Sequence, residues 1–181
     1  PDNPTGAVYP IEVLEKIVDI ARRYGVFVVC DEIYAHIVYN GAKTTHLSEV
    51  IGDVPGIALR GISKEYPWPG ARCGWIEVFN KSRHPQFETY VNSLLSAKRL
   101  EVCSTTLPQL SIPRVIGDPR YKDHLARRSK MFELRADEAF LRFSEVEGVT
   151  TVKARGAFYM SIIFDDGALN GRQTLKIEDP K

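Results

Sequence analysis

The sequence predicts an α/β fold built on an open sheet, and three observations carry the prediction. Residues 11–24 place Ile11, Leu14, Ile17, Val18 and Ala21 at helical spacing, with Pro10 before them and Gly25 after. That is the order of a helix start and a helix stop. Residues 26–30, Val-Phe-Val-Val-Cys, follow as an unbroken apolar run, which suits a parallel strand buried on both faces. Polar residues then stand directly after strand-like runs: Asp31-Glu32 after the first, Ser63-Lys64 after residues 56–61. In open α/β sheets, ligands bind beyond the carboxyl ends of the strands.

The remaining elements follow in order. Residues 1–10 are turn material, opening Pro-Asp-Asn-Pro-Thr-Gly. Residues 33–40 are aromatic and ambiguous, and residues 47–50 read as a short helical turn. Residues 56–61 set Ile-Ala-Leu-Arg between two glycines, a short strand. Residues 74–79 read as the next strand, with Asn80-Lys81 as a turn. From Pro85 the pattern turns helical, with Phe87, Tyr90, Val91, Leu94 and Leu95 on one face. A second helical stretch covers residues 110–116. Asp118 and Pro119 then suit the N-cap and first position of a long helix reaching about Phe143, and Gly148 stops it. Residues 149–153 and 157–164 read as strands on either side of Arg155-Gly156. The change to a long helix and a strand pair divides the chain into residues 1–118 and a second subdomain, 119–181.

Composition narrows the function. Hydrophobic residues make up 44% of the 181 residues, enough for a substantial core. Lys and Arg number 24 against 23 Asp and Glu, so no nucleic-acid or acidic-membrane partner is expected. No apolar run approaches the roughly 20 residues of a membrane span. Cys30, Cys73 and Cys103 are isolated, with no metal or redox spacing. They read as small core residues in a reducing, cytoplasmic compartment. The four histidines show no metal spacing.

The chemistry concentrates in residues 63–75, Ser-Lys-Glu-Tyr-Pro-Trp-Pro-Gly-Ala-Arg-Cys-Gly-Trp. A lysine beside a hydroxyl residue, with an arginine following in a Gly/Pro-bent segment, suits a cofactor aldehyde held as an imine and a phosphate gripped nearby. Two other short motifs precede it, Asn3-Pro4-Thr5-Gly6 and Asp31-Glu32-Ile33-Tyr34. A carboxylate at a strand end can keep a pyridine nitrogen protonated.

The order and spacing of these motifs resemble the class I/II aminotransferases, pyridoxal-phosphate enzymes of fold type I. The resemblance extends to Pro69-Gly70-x-Arg72-x-Gly74-Trp75 and to Gly156-Ala157-Phe158-Tyr159. It implies part of the large domain, a mostly parallel sheet with helices, and the start of an α+β small domain. It implies pyridoxal 5′-phosphate as cofactor, with Lys64 as the imine-forming residue and the base that moves the substrate's Cα proton. Both roles need a neutral amine. Asp31 would face the ring nitrogen, Asn3 and Tyr34 the phenolate oxygen, and Arg72 and Ser63 the phosphate. Ser63 departs from the pattern of some branches, whose hydroxyl lies three residues before the lysine, where this chain has Gly61.

The resemblance implies an amino acid and a 2-oxo acid as substrates and a homodimer as the working form. The same motifs serve a β-lyase, a cyclopropane-carboxylate synthase or the pyridoxal-phosphate-sensing domain of a transcription regulator, and these stay open. The chain is expected to be a piece of a longer polypeptide, because it starts inside a motif. Relatives carry a ring-stacking aromatic residue upstream and a carboxylate-binding arginine downstream. Arg172 lies too close to the preceding strand to serve as that arginine. The isolated 181 residues are therefore expected to show no measurable transamination. Steady turnover of an amino acid with 2-oxoglutarate would overturn that expectation.

Overall fold

The computed structural model describes residues 1–167. Arg172 and the rest of the C-terminal run lie outside the described residues. Helix α1, Ile11–Tyr24, starts after Pro10 and ends at Gly25, whose φ of 63° is left-handed. Only glycine adopts that conformation without steric cost, so the stop read from the sequence is a backbone requirement. Strand β1, Val28–Asp31, is followed by the four-residue helix α2, Leu47–Val50. Strands β2, Gly56–Gly61, and β3, Gly74–Phe79, have the bounds expected. Helices α3, Pro85–Lys98, and α4, Thr106–Ile116, come next. Helix α4 begins four residues earlier than its apolar pattern suggests.

Helix α5 spans Arg120–Ser144. Asp118 does the capping work expected of it, since its Oδ1 accepts the Arg120 N–H at 2.8 Å. A hairpin of β4, Val149–Thr151, and β5, Ile162–Phe164, completes the described chain.

Strands β1, β2 and β3 form one sheet in that order. The β1–β2 pair is parallel and the β2–β3 pair antiparallel. Side chains alternate across a strand, so Ala58 and Ile57 face opposite layers. Ala58 joins Val18, Ala21, Leu47, Ile51 and Val54 in a core beneath α1 and α2. Ile57 joins Phe87 and Val91 beneath α3, with Ile76 and Val78 against them.

Two readings need correction. Strand β1 is not buried on both faces: Val29 is 53% exposed and Asp31 is exposed. The second layer, α3, packs over Ile57, Ile76 and Val78 on β2 and β3 and reaches Phe27 just before β1, but it does not cover Val29. Residues 157–161 are not strand. Ala157 has φ 54° and is fully buried, with its N–H donated to the Ile37 carbonyl at 2.8 Å. That long-range bond bends the chain before β5 begins.

The N-terminal turn is tied to the same region. The Gly6 carbonyl accepts the Arg155 and Gly156 N–H groups, both at 3.0 Å. Gly6 has φ 70°, and a Cβ there would lie 2.4 Å from the Tyr159 carbonyl oxygen. Gly6→Ala is expected to lower stability by at least roughly 1–3 kcal/mol from backbone strain alone, read as a lower urea midpoint with an unchanged slope.

Candidate active site

The sheet register sets the geometry. Asp31 pairs with Leu59 on the parallel neighbour, so β1 and β2 finish at the same end. Gly61 pairs with Gly74 on the antiparallel neighbour, so β3 starts there. The connection, residues 62–73, therefore lies across the end where Asp31 emerges. Lys64 and Arg72 both belong to that connection.

The Lys64 Nζ stands 5.7 Å from the Tyr34 ring centroid and 5.6 Å from that of Phe158. Ser63 and Lys64 line a cavity of about 660 Å³ with Phe158, Tyr159, Phe132 and Arg128. The Tyr34 and Tyr159 hydroxyls are 2.7 Å apart, with their rings edge to face at 82°. Burial raises the Tyr34 pKa first, and the hydrogen bond to Tyr159 adds to it. Tyr34 thus keeps its proton at neutral pH and remains a donor.

The other expected residues occupy looser positions. Asp31 accepts the Ile33 N–H on Oδ1 at 3.0 Å and lines a separate cavity, of about 340 Å³, on the α1 side. Arg72 is exposed, with φ 47°, and its Nη1 donates to the Pro69 carbonyl at 2.8 Å. Asn3 is exposed and precedes a cis peptide bond to Pro4. The structure thus gathers Lys64, Ser63 and Tyr34 together. It sets Asp31 at the same sheet end, and leaves Arg72 and Asn3 on exposed turns.

Charge pairing separates two groups of residues here. The strands and the 62–73 connection, with Glu32 just after β1, carry seven charged side chains: Asp31, Glu32, Arg60, Lys64, Glu65, Arg72 and Glu77. Buried Glu32 lies 2.9 Å from Arg60 and 2.7 Å from His46 Nδ1, and it accepts the Leu47 N–H at 2.7 Å. Arg60 Nε also lies 2.8 Å from Glu77, an ion pair without the alignment of a hydrogen bond. Buried Glu65 accepts from His36 N and lies within 2.8 Å of His36 Nδ1. Among the described residues, Asp31, Lys64 and Arg72 have no ion pair.

Sequence reasoning missed several neighbours of Lys64. Tyr159 and Phe158 entered only as part of a motif, not as walls of the lysine's cavity. Glu65, His36 and Arg128 were not singled out, because an acid beside a lysine and charges on a long helix usually mark a solvated surface. The cysteine reading needs one correction. Cys73 is buried, and burial pushes the half-buried Cys30 thiol up to about 11, but Cys103 is exposed.

The donor set fits pyridoxal 5′-phosphate in kind: an amine beside two aromatic rings, a protonated phenol, and a carboxylate and a guanidinium that have no ion pair among the described residues. Fold and site together define an α/β chain of the fold type I aminotransferase kind. A profile of the family described as "Aminotransferase class I and II" matches residues 1–171, and the chain belongs to that family.

Particular relatives agree. The chain is 54% identical over all 181 residues to an uncharacterized aminotransferase of Methanocaldococcus jannaschii, covering 42% of it. It is 33% identical to the glutamate-pyruvate aminotransferase AlaA of Haemophilus influenzae over 88% of this chain and 39% of that one. The solved alanine aminotransferase from Pyrococcus furiosus superposes with TM-score 0.81 at 32% identity, covering 91% of this chain and 41% of that one. The chain thus spans about two fifths of the length of these relatives.

Glu65 raises the His36 pKa, chiefly through the side-chain hydrogen bond. The pair's contribution to stability is therefore complete below the ordinary imidazole pKa of about 6.5. It is lost as pH rises through the raised value. Thermal unfolding measured across that window should show this fall in the parent protein, and His36→Gln should flatten it.

Proposed function

We propose that the protein is a pyridoxal 5′-phosphate-dependent aminotransferase that moves an amino group from an amino acid to a 2-oxo acid. One observation carries the reading. At the sheet end where the structural charges are paired, Asp31, Lys64 and Arg72 have no ion pair among the described residues. Asp31 and Arg72 are exposed and Lys64 is half-buried beside its cavity, so all three charges can be reached by a ligand.

When bound, the cofactor would supply an aldehyde to take up the amino group and a ring to spread the charge left at Cα. The Lys64 amine would hold that aldehyde. Once displaced, it would take the Cα proton and return it to the adjoining carbon. Asp31 would accept the ring N–H. The protonated Tyr34 hydroxyl and the Asn3 amide would donate to the phenolate oxygen. Arg72 would present its donor fork to the phosphate, with Ser63 beside it.

The relatives quoted above are all named as aminotransferases. That supports amino transfer over a β-lyase, a cyclopropane-carboxylate synthase or a cofactor-sensing regulator. Their names also make alanine, glutamate and pyruvate the first substrates to test. A division near residue 119 is supported by two sheets that share no strand. A homodimer is supported by the exposed apolar residues Leu100, Val102, Leu107 and Leu110, between 69% and 96% accessible. Among the described residues no helix is long and apolar enough to cross a membrane, which is compatible with a cytoplasmic enzyme.

Incubation with pyridoxal 5′-phosphate, borohydride reduction and peptide mass analysis should find the pyridoxyl group on Lys64. Lys64→Ala should abolish the label, and Arg72→Ala should weaken cofactor uptake roughly tenfold or more, the loss of a charge-assisted pair. A label that survives Lys64→Ala would refute the assignment.

A further inference from the structure

We propose that Arg128 is a positioning residue for Lys64, acting with Glu65 to fix the Lys64 backbone from two sides. The proposal rests on the reading of Lys64 as the cofactor-bearing lysine. Arg128 Nη2 donates to the Lys64 carbonyl at 3.0 Å. Its guanidinium lies 5.3 Å from the Phe132 ring centroid, and its Nε is buried with no partner among the described residues. Burial also pulls its pKa below the ordinary arginine range. A half-buried fork with one donor unsatisfied is a costly way to hold a single carbonyl. Its other contacts explain only part of that cost, since stacking on Phe132 needs no bond to residue 64.

The adjoining residue is held as firmly. The Glu65 carbonyl lies 3.0 Å from His124 Nε2. The carboxylate of buried Glu65 is engaged by the His36 N–H and ring at 2.8 Å each. Tyr121 reaches the same carboxylate at 3.4 Å. Tyr121, His124 and Arg128 are three and four residues apart, which puts them on one stripe of α5. One helix face thus grips two consecutive residues of the connection, while His36 closes on Glu65 from the β1 side. Lys64 projects from this clamp into its cavity, so the place of its amine depends on a backbone held through α5. Displacements of about 1 Å can cost a reacting group a hundredfold in rate.

The test compares Arg128→Met, Arg128→Lys and Glu65→Gln with the parent protein by amide hydrogen exchange and by Lys64 labelling. Labelling uses pyridoxal 5′-phosphate and borohydride, followed as a rate. In Arg128→Met and Glu65→Gln, exchange at residues 62–66 should rise about tenfold, matching the loss of one charge-assisted hydrogen bond. Exchange in β2 at residues 57–59 should stay unchanged. Lys64 labelling should slow by a similar factor, and Arg128→Lys should fall between. A wild-type exchange pattern at 62–66, or a rise shared equally by β2, would overturn the proposal. If Lys64 in the parent protein takes no label, the cofactor reading fails, and the exchange pattern still decides whether the clamp exists.

Discussion

The parallel pairing of β1 with β2, followed by the antiparallel return of β3, is the constraint on which the site depends. Parallel pairing makes both strands end on one side, which places Asp31 level with Leu59. The reversal into β3 returns the chain to the same end, with Gly74 opposite Gly61. The approach there is close: a Cβ on Gly74 would lie 2.6 Å from the Arg60 carbonyl. A residue with a side chain would push the two strands apart where the connection carrying Lys64 and Arg72 departs. Changing the direction of β3 would send that connection across the layer, away from Asp31.

A second constraint is the separation of structural charges from available ones. Glu32 and Glu65 are buried, and each is satisfied by histidine, backbone and, for Glu32, arginine. A buried carboxylate without such partners would be strongly destabilising. Each of these acids adjoins a candidate site residue, Asp31 or Lys64. Successive side chains at these positions take opposite tasks: one locks the backbone, and the other is left without an ion pair among the described residues. The lock is local to the site, which is where a fixed backbone has the greatest effect on chemistry.

Features set by local chemistry were legible in the sequence. Pro10 and Gly25 bound α1 because one lacks an amide proton and the other tolerates positive φ. Glycines bound β2, and Asp118 with Pro119 marks the start of α5 through a cap that needs only neighbouring residues. The motif lysine, aspartate and arginine are legible through the resemblance of three ordered motifs, and the structure places Asp31 at a strand end and Lys64 and Arg72 in the connection from β2 to β3. What stayed hidden depends on residues far apart in sequence. Ala157 leaves the strand pattern because of Ile37, and Tyr34 meets Tyr159 across 125 positions. The open face of β1 could not be read from its apolar run, because exposure is decided by where α3 lies.

The long-range contacts share one feature. The turn at Gly6, residues 34–39 and residues 154–159 are bound to one another, through Gly6 to Arg155 and Gly156, Tyr39 to Arg155, and Ile37 to Ala157. The Tyr39 hydroxyl adds a bond to the Gly156 carbonyl at 3.1 Å. Two segments near the start of the chain and a third more than a hundred residues later therefore form one backbone cluster, packed beside the Lys64 cavity. Their spacing in the sequence is free to vary with loop length, whereas their contact geometry is not. This is a physical reason for reading the ordered set of short motifs as one unit, although each alone would be an ordinary turn or strand end.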